Sequence, residues 1–344
     1  MNPRRRFLLS ALAAPALAHG LAASAQARAR KVTIAVGGKA ALYYLPLTLA
    51  ERLGYFNEQD LDVEILDFAG GAKALQAMMG GSADVVAGGF DHVLILRAKQ
   101  QALQAFTLMV ATPSLALAVA KAKAAGYRSA RDLKGMKVGV TAPGSSTNIF
   151  VNYLLANAGL PLDAVSIIGV GTGPTAVAAM KAGQVDAISN VEPTISLLER
   201  SGLANVVVET MTEQGSRAVF GESLPAGSLY TREAYIQRSP ENVQALATAM
   251  VRTLAWLKDA SADSILKTIP PEYTLGDKAT YLAALERQRQ GYSLDGLIPM
   301  AGATALLQVL KRFDPAVQAA PDVDVAKSFT NQFVQKSMAA RQPR

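Results

Sequence analysis

The feature that most constrains the fold is an internal repeat. Gly71, Ala74, Ala77, Met78, Gly81 and Asp84 recur as Gly173, Ala176, Ala179, Met180, Gly183 and Asp186, at a constant offset of 102 residues. In each copy the Ala and Met positions fall at helical spacing, the second Gly stops the helix, and the Asp opens an apolar strand-like run. Any two Ala-rich helix–strand units look somewhat alike. Identity at six spaced positions in one register argues instead for two copies of one unit, and hence for two lobes of like topology. The same offset pairs Tyr43 with Ser145, and Phe90, Asp91 and His92 with Glu192, Pro193 and Thr194. All of these lie just after a strand end and at a helix start, where open α/β sheets bind ligands. The loops are expected to line a cleft from opposite sides.

Around the repeat, strand-like runs alternate with helical patterns. The runs are Val32–Val36, Val63–Phe68, Asp84–Ala87, Phe106–Ala111, Lys137–Thr141, Val165–Val170, Val185–Ser189 and Val206–Val208. Thr147–Ala158 and Thr175–Ala182 are examples of the helices between them. This alternation predicts an α/β chain of two Rossmann-like lobes with parallel sheets. Val63–Phe68 is apolar enough to suit a strand buried on both faces. Pro46 suits the first turn of a helix whose apolar face is Leu47, Leu49, Ala50 and Leu53, stopped by Gly54. From about Ser239 the pattern is mostly helical: Glu241–Asp259, Ser261–Thr268, Lys278–Gln290 and Ala303–Phe313. The expected division is a first lobe of 30–113 and 228–344, completed by these C-terminal helices, and a second lobe of 114–227. Hinges fall near Thr112–Leu115 and Ala226–Tyr230.

Residues 1–29 read as an export signal: Arg4-Arg5-Arg6-Phe7-Leu8, an apolar stretch from Leu9 to Leu21, and small-residue sites around Ala25, Ala27 and Ala29. The Arg-Arg-x-Phe-Leu order matches a twin-arginine signal, and general secretion uses similar starts. The stretch is too short and Ala-rich for a transmembrane helix. The chain has no Cys. That excludes disulfides, thiolate metal sites, Cys nucleophiles and a lipid-modified Cys, so a periplasmic protein without a lipid anchor is expected. The formal charge is +7, but the signal holds four of the 34 basic residues and no acid. The remainder sets 30 basic against 27 acidic groups. No basic stripe interleaves with aromatics, so nucleic acid is not expected as a partner.

The candidate site residues follow from the loops. Thr141-Ala-Pro-Gly144-Ser145-Ser146-Thr147-Asn148 follows a strand and opens a helix. Free N–H groups and hydroxyls there favour an anion or carbonyl acceptor, and simple N-capping is the competing account. Gly169-Val-Gly171-Thr172-Gly173-Pro174 fails as a dinucleotide loop because Pro174 stands at the third glycine position. It reads as a tight turn with Thr172 near the cleft. Asn190 and Glu192 end a strand; Glu192 can bond a ligand or complement a helix start. His92 is the one His beyond the signal, and at Phe90-Asp91-His92 it serves either the cleft or the scaffold. Lys39, Tyr43 and Tyr44 precede the first helix; the tyrosines can stack on an organic ligand or pack as core. No metal or cofactor is expected.

Tyr43-Tyr-Leu-Pro46 … Ala50-Glu-Arg-Leu-Gly54-Tyr55-Phe56 … Leu61-Asp62-Val63-Glu64, with the repeat that follows, resembles the first-lobe signature of periplasmic solute-binding proteins of the nitrate/taurine/alkanesulfonate type (NMT1/THI5-like, type II periplasmic binding fold). The resemblance is strongest over 42–88, clear over 137–194 and weak after 235. It implies a monomeric carrier that closes on a small organic anion and hands it to a membrane permease with a cytoplasmic ATPase. It also implies that the Gly144-Ser145-Ser146 loop contacts the ligand. Two other classes compete. A related carrier branch binds the thiamine pyrimidine, and a synthase branch makes it; the synthase needs a Cys-rich motif that this chain lacks. Serine hydrolysis would need a G-x-S-x-G elbow, which is also missing. A sensor that reports the ligand to a receptor would share the same site.

Overall fold

The computed structural model describes residues 29–320 and 322–341. The export-signal reading therefore lies outside the described residues, apart from Ala29. Among the described residues, ten strands form two five-stranded sheets. The strands are β1 (Arg30–Val36), β2 (Leu61–Asp67), β3 (Val85–Gly89), β4 (Leu103–Leu108), β5 (Ala116–Ala120), β6 (Lys137–Val140), β7 (Ser166–Gly169), β8 (Ala187–Asn190), β9 (Ala204–Glu209) and β10 (Gly227–Arg232). The sheet orders are β2-β1-β3-β10-β4 and β7-β6-β8-β5-β9. The two orders are the same topology twice.

The repeat explains part of that identity. Asp84 Oδ2 accepts the Thr33 N–H at 2.9 Å, and Asp186 Oδ2 accepts the Lys137 N–H at 2.8 Å. Each Asp N–H donates back to the carbonyl of the same residue. The Asp thus clips the incoming strand to the first strand of its lobe. Gly81 and Gly183 both have positive φ, the left-handed turn that ends the preceding helix.

Two expectations need correction. The sheets are mixed, not parallel. β5 runs antiparallel to β8 and β9, and β10 runs antiparallel to β3 and β4. Each is the strand by which the chain enters a sheet from the other lobe, and both are too fully buried to show alternation. β2 is an edge strand, not one buried on both faces: Glu64 is half exposed and pairs with Lys31.

The C-terminal helices pack on the first lobe. Pro240–Asp259 lies against Leu45–Arg52 and Gln332–Ala339, and Met300–Lys311 lies against Phe90–Ala98. The helix Lys278–Arg289 is different: it also packs on Thr194–Arg200 of the second lobe and on the turn Leu42–Tyr44.

Candidate functional site

Two helices point their N-termini at the junction of the lobes: Gly71–Met79 from the first and Ser146–Asn157 from the second. Such ends carry unpaired N–H groups and a positive dipole end. Ser145 stands at the N-cap position of the second helix, yet its side chain makes no bond to that helix. Its Oγ accepts the Ala72 N–H at 2.9 Å, so it satisfies a free donor of the opposite helix. The Ser146 hydroxyl donates to Asp91 Oδ1 at 2.9 Å, and the same oxygen accepts the His92 N–H. His92 Nε2 lies 3.2 Å from the Gly144 carbonyl, and Nδ1 lies 3.2 Å from Tyr230 Oη. A carbonyl only accepts, so in the neutral ring the proton belongs on Nε2 and Nδ1 accepts from the tyrosine. Leu42 N–H donates to the Glu192 carbonyl at 2.8 Å. The lobes thus meet through direct hydrogen bonds.

Two small cavities remain at this junction. One, of ≈20 Å³, is bounded by Tyr43, Tyr44, Gly71, Ser145, Thr147 and Val191. The structure therefore brings Tyr43, Ser145 and Thr147 to one cavity from opposite lobes. The other, of ≈40 Å³, shares Tyr43, Leu115 and Ser146 with the first; Phe150, Tyr153 and Leu310 are among its apolar walls, and Asp91 is its carboxylate. A water needs roughly 10–15 Å³, so a larger solute enters only when the lobes part. Tyr43 Oη is buried without a hydrogen-bond partner among the described residues. Burial, together with Tyr44 and Asp91, pushes its phenol well above the ordinary value, so it stays neutral.

The remaining candidates are placed as follows. Thr147 Oγ1 accepts the Thr141 N–H and lies 2.9 Å from Thr141 Oγ1. Phe90 is fully buried, edge-on to Phe329. Thr172 stands against Gly38: a Cβ on Gly38 would lie 2.8 Å from Thr172 Oγ1. Asn190 is buried and spends its amide on the Gly171 carbonyl and the Val191 N–H. Lys39 is held by Glu51 at 2.8 Å and bounds neither cavity. Glu192 is fully buried; its Oε2 accepts the Ser196 N–H, and its Oε1 is within 3.3 Å of Arg287, at ion-pair distance but not aligned for a hydrogen bond. Burial pushes its carboxyl above the ordinary value, against the opposing pull of Ser196 and Arg287.

Sequence reasoning missed two residues. Arg287 bridges Glu192, Glu199 (2.6 Å) and Glu209 (3.3 Å), joining the helix Lys278–Arg289 to the second lobe. Nothing local marks it, because its partners are distant in the chain. Gly89 sits under the Ser146–Asp91 bond, where a Cβ would lie 2.2 Å from Ser146 Oγ and 2.3 Å from Asp91 Oδ1. The Gly88-Gly89 pair at a strand end was its signal.

Twin lobes that meet over converging helix N-termini define a two-lobed binding protein. The family model described as NMT1/THI5 like matches residues 41–261, and the chain belongs to that family. This bears out the resemblance read from the first lobe. A solved structure from Bordetella bronchiseptica RB50 is 49% identical, with a TM-score of 0.88, covering 90% of this chain and 97% of that one. The alkanesulfonate-binding protein SsuA from Xanthomonas axonopodis pv. citri, bound to MOPS, is 21% identical (TM-score 0.67; 88% and 98% covered). The periplasmic nitrate-binding protein NrtA from Synechocystis PCC 6803 is 14% identical (TM-score 0.71; 91% and 89% covered). These last two share the fold with this chain.

Proposed function

We propose that this chain is the substrate-binding component of an ABC importer for a small organic anion, such as a sulfonate or carboxylate. It works in the periplasm as a monomer without a lipid anchor, and delivers the solute to a membrane permease driven by a cytoplasmic ATPase. The observation that carries this reading is the convergence of two helix N-termini and the Ser145, Ser146 and Thr147 hydroxyls on one inter-lobe cavity. Backbone N–H groups and dipole ends of this kind favour negative charge without a basic side chain. The fold neighbours that bind sulfonates and nitrate support the same class of solute. The function requires the cross-lobe bonds to be exchanged for bonds to the solute. A solute that touches both lobes binds the closed form better, and that difference drives closure. The carrier hands its solute on to the permease with its bonds intact.

The test is a thermal-shift screen of alkanesulfonates, taurine, aromatic carboxylates, nitrate and pyrimidines. A solute at a hundred times its Kd stabilises the folded form by about 2.7 kcal/mol. For a chain of this size that is a rise of roughly 4 °C. If pyrimidines raise the melting point and no sulfonate or carboxylate does, the anion reading fails.

A further inference from the structure

We infer that the solute carries, besides its anionic end, a hydrogen-bond-donating nitrogen that reaches Asp91, mounted on an apolar body that fills the second cavity. This rests on the proposed function and narrows its solute. Asp91 is 8% exposed and lies in the wall of that cavity. Its Oδ1 is engaged by Ser146 and His92, while its Oδ2 makes no hydrogen bond among the described residues. Among the described residues, no Lys or Arg bounds either cavity. A position in the first turn of the helix Phe90–Ala98 accounts for the bond to the His92 N–H. It does not account for a second oxygen left without a hydrogen bond on a side chain that lines the cavity. Nor does it account for Tyr43, a residue that lines both cavities and whose buried hydroxyl has no partner among the described residues.

A carboxylate so placed is costly unless something compensates it. An ammonium, or an N–H of a heteroaromatic ring, would do so through a charge-assisted bond. A bare nitrate or alkanesulfonate would instead face uncompensated negative charge. Phe150, Tyr153, Leu306 and Leu310 offer the body of such a solute an apolar and aromatic surface. Tyr43 Oη, both donor and acceptor, can serve either end.

The decisive probes are 4-(aminomethyl)benzoate and 4-ethylbenzoate, which match in shape and differ in the ammonium. Both, with benzylamine, are titrated by calorimetry into the mature protein and into Asp91→Asn. The expected result is binding of the amine about tenfold or more tighter than its isostere, with the ratio falling toward one in the variant. Equal affinities in the wild type, or an unchanged ratio in the variant, overturn the inference and leave the importer reading standing. If benzylamine binds and neither carboxylate does, the Asp91 contact is supported and the anion reading falls. Melting of Asp91→Asn without solute is a second check. An unpaired buried charge predicts an equal or higher melting point; a fall of several degrees shows a scaffold role and overturns the inference.

Discussion

Replacing Arg287 by Met removes one guanidinium from three carboxylates while keeping most of the apolar stem volume. The cost is set by Glu192, which is 0% exposed; Glu199 and Glu209 are each about a third exposed and contribute little. Breaking a buried pair costs about 3–5 kcal/mol. The lower end applies, because the Ser196 N–H remains on Glu192 and because the carboxyl can take up a proton. A loss of about 3 kcal/mol lowers the melting point of a chain this size by roughly 4–5 °C. The pH dependence gives the sharper test. Glu192 titrates above its unfolded value of 4.5 because it is buried, so the folded state holds its proton more tightly. The stability this gives is complete below 4.5 and fades as pH rises through the folded value. Without Arg287 the folded value rises further. The variant should therefore lose little at pH 5 and its full amount at pH 8. Scanning calorimetry of both proteins at pH 5, 6.5 and 8 measures this, and adding Glu192→Gln to the variant should restore most of the loss at pH 8. An equal loss at every pH would refute the reasoning, since it would show that packing alone had been lost.

Three further outcomes follow. Ser145→Ala with Ser146→Ala should weaken binding of an anion that shifts the wild-type melting point by about tenfold or more, while costing about 1–3 kcal/mol of stability for the Ala72 N–H and the Asp91 oxygen that each lose a partner; unchanged affinity with a lower melting point would reduce the loop to scaffold. Gly89→Ala places a methyl against the Ser146–Asp91 bond, so it should keep the lobes from meeting, at roughly 1–3 kcal/mol. Loss of solute-induced compaction in small-angle scattering checks this, and normal compaction would show that the neighbours give way. Arg4→Lys with Arg5→Lys should block export by the twin-arginine route, and normal appearance of the protein in the periplasm would leave general secretion as the route.

Much of the fold was legible because it is written in local patterns. Helical spacing of Ala and Met, a stopping Gly and an opening Asp mark each repeat, and the constant offset between the copies is enough to predict two like lobes. Placing loops beyond strand ends was enough to bring Tyr43, Ser145 and Thr147 to one cavity. Local pattern also misled where burial was complete. β5 and β10 show no alternation, so neither their direction nor their place within the sheets could be read.

What the chain alone determined is the set of elements and the faces they bury, since periodicity records burial residue by residue. What only the tertiary structure decided is which polar groups find each other. Ser145 looked like the cap of its own helix and satisfies an N–H of the opposite one. Lys39 looked available to a ligand and is taken by Glu51. Arg287 carried no signal and holds three carboxylates. Hydrogen bonds and ion pairs depend on distances of about 3 Å between groups far apart in the chain. No periodicity encodes such distances, and they exist only once the elements, and then the lobes, have packed together.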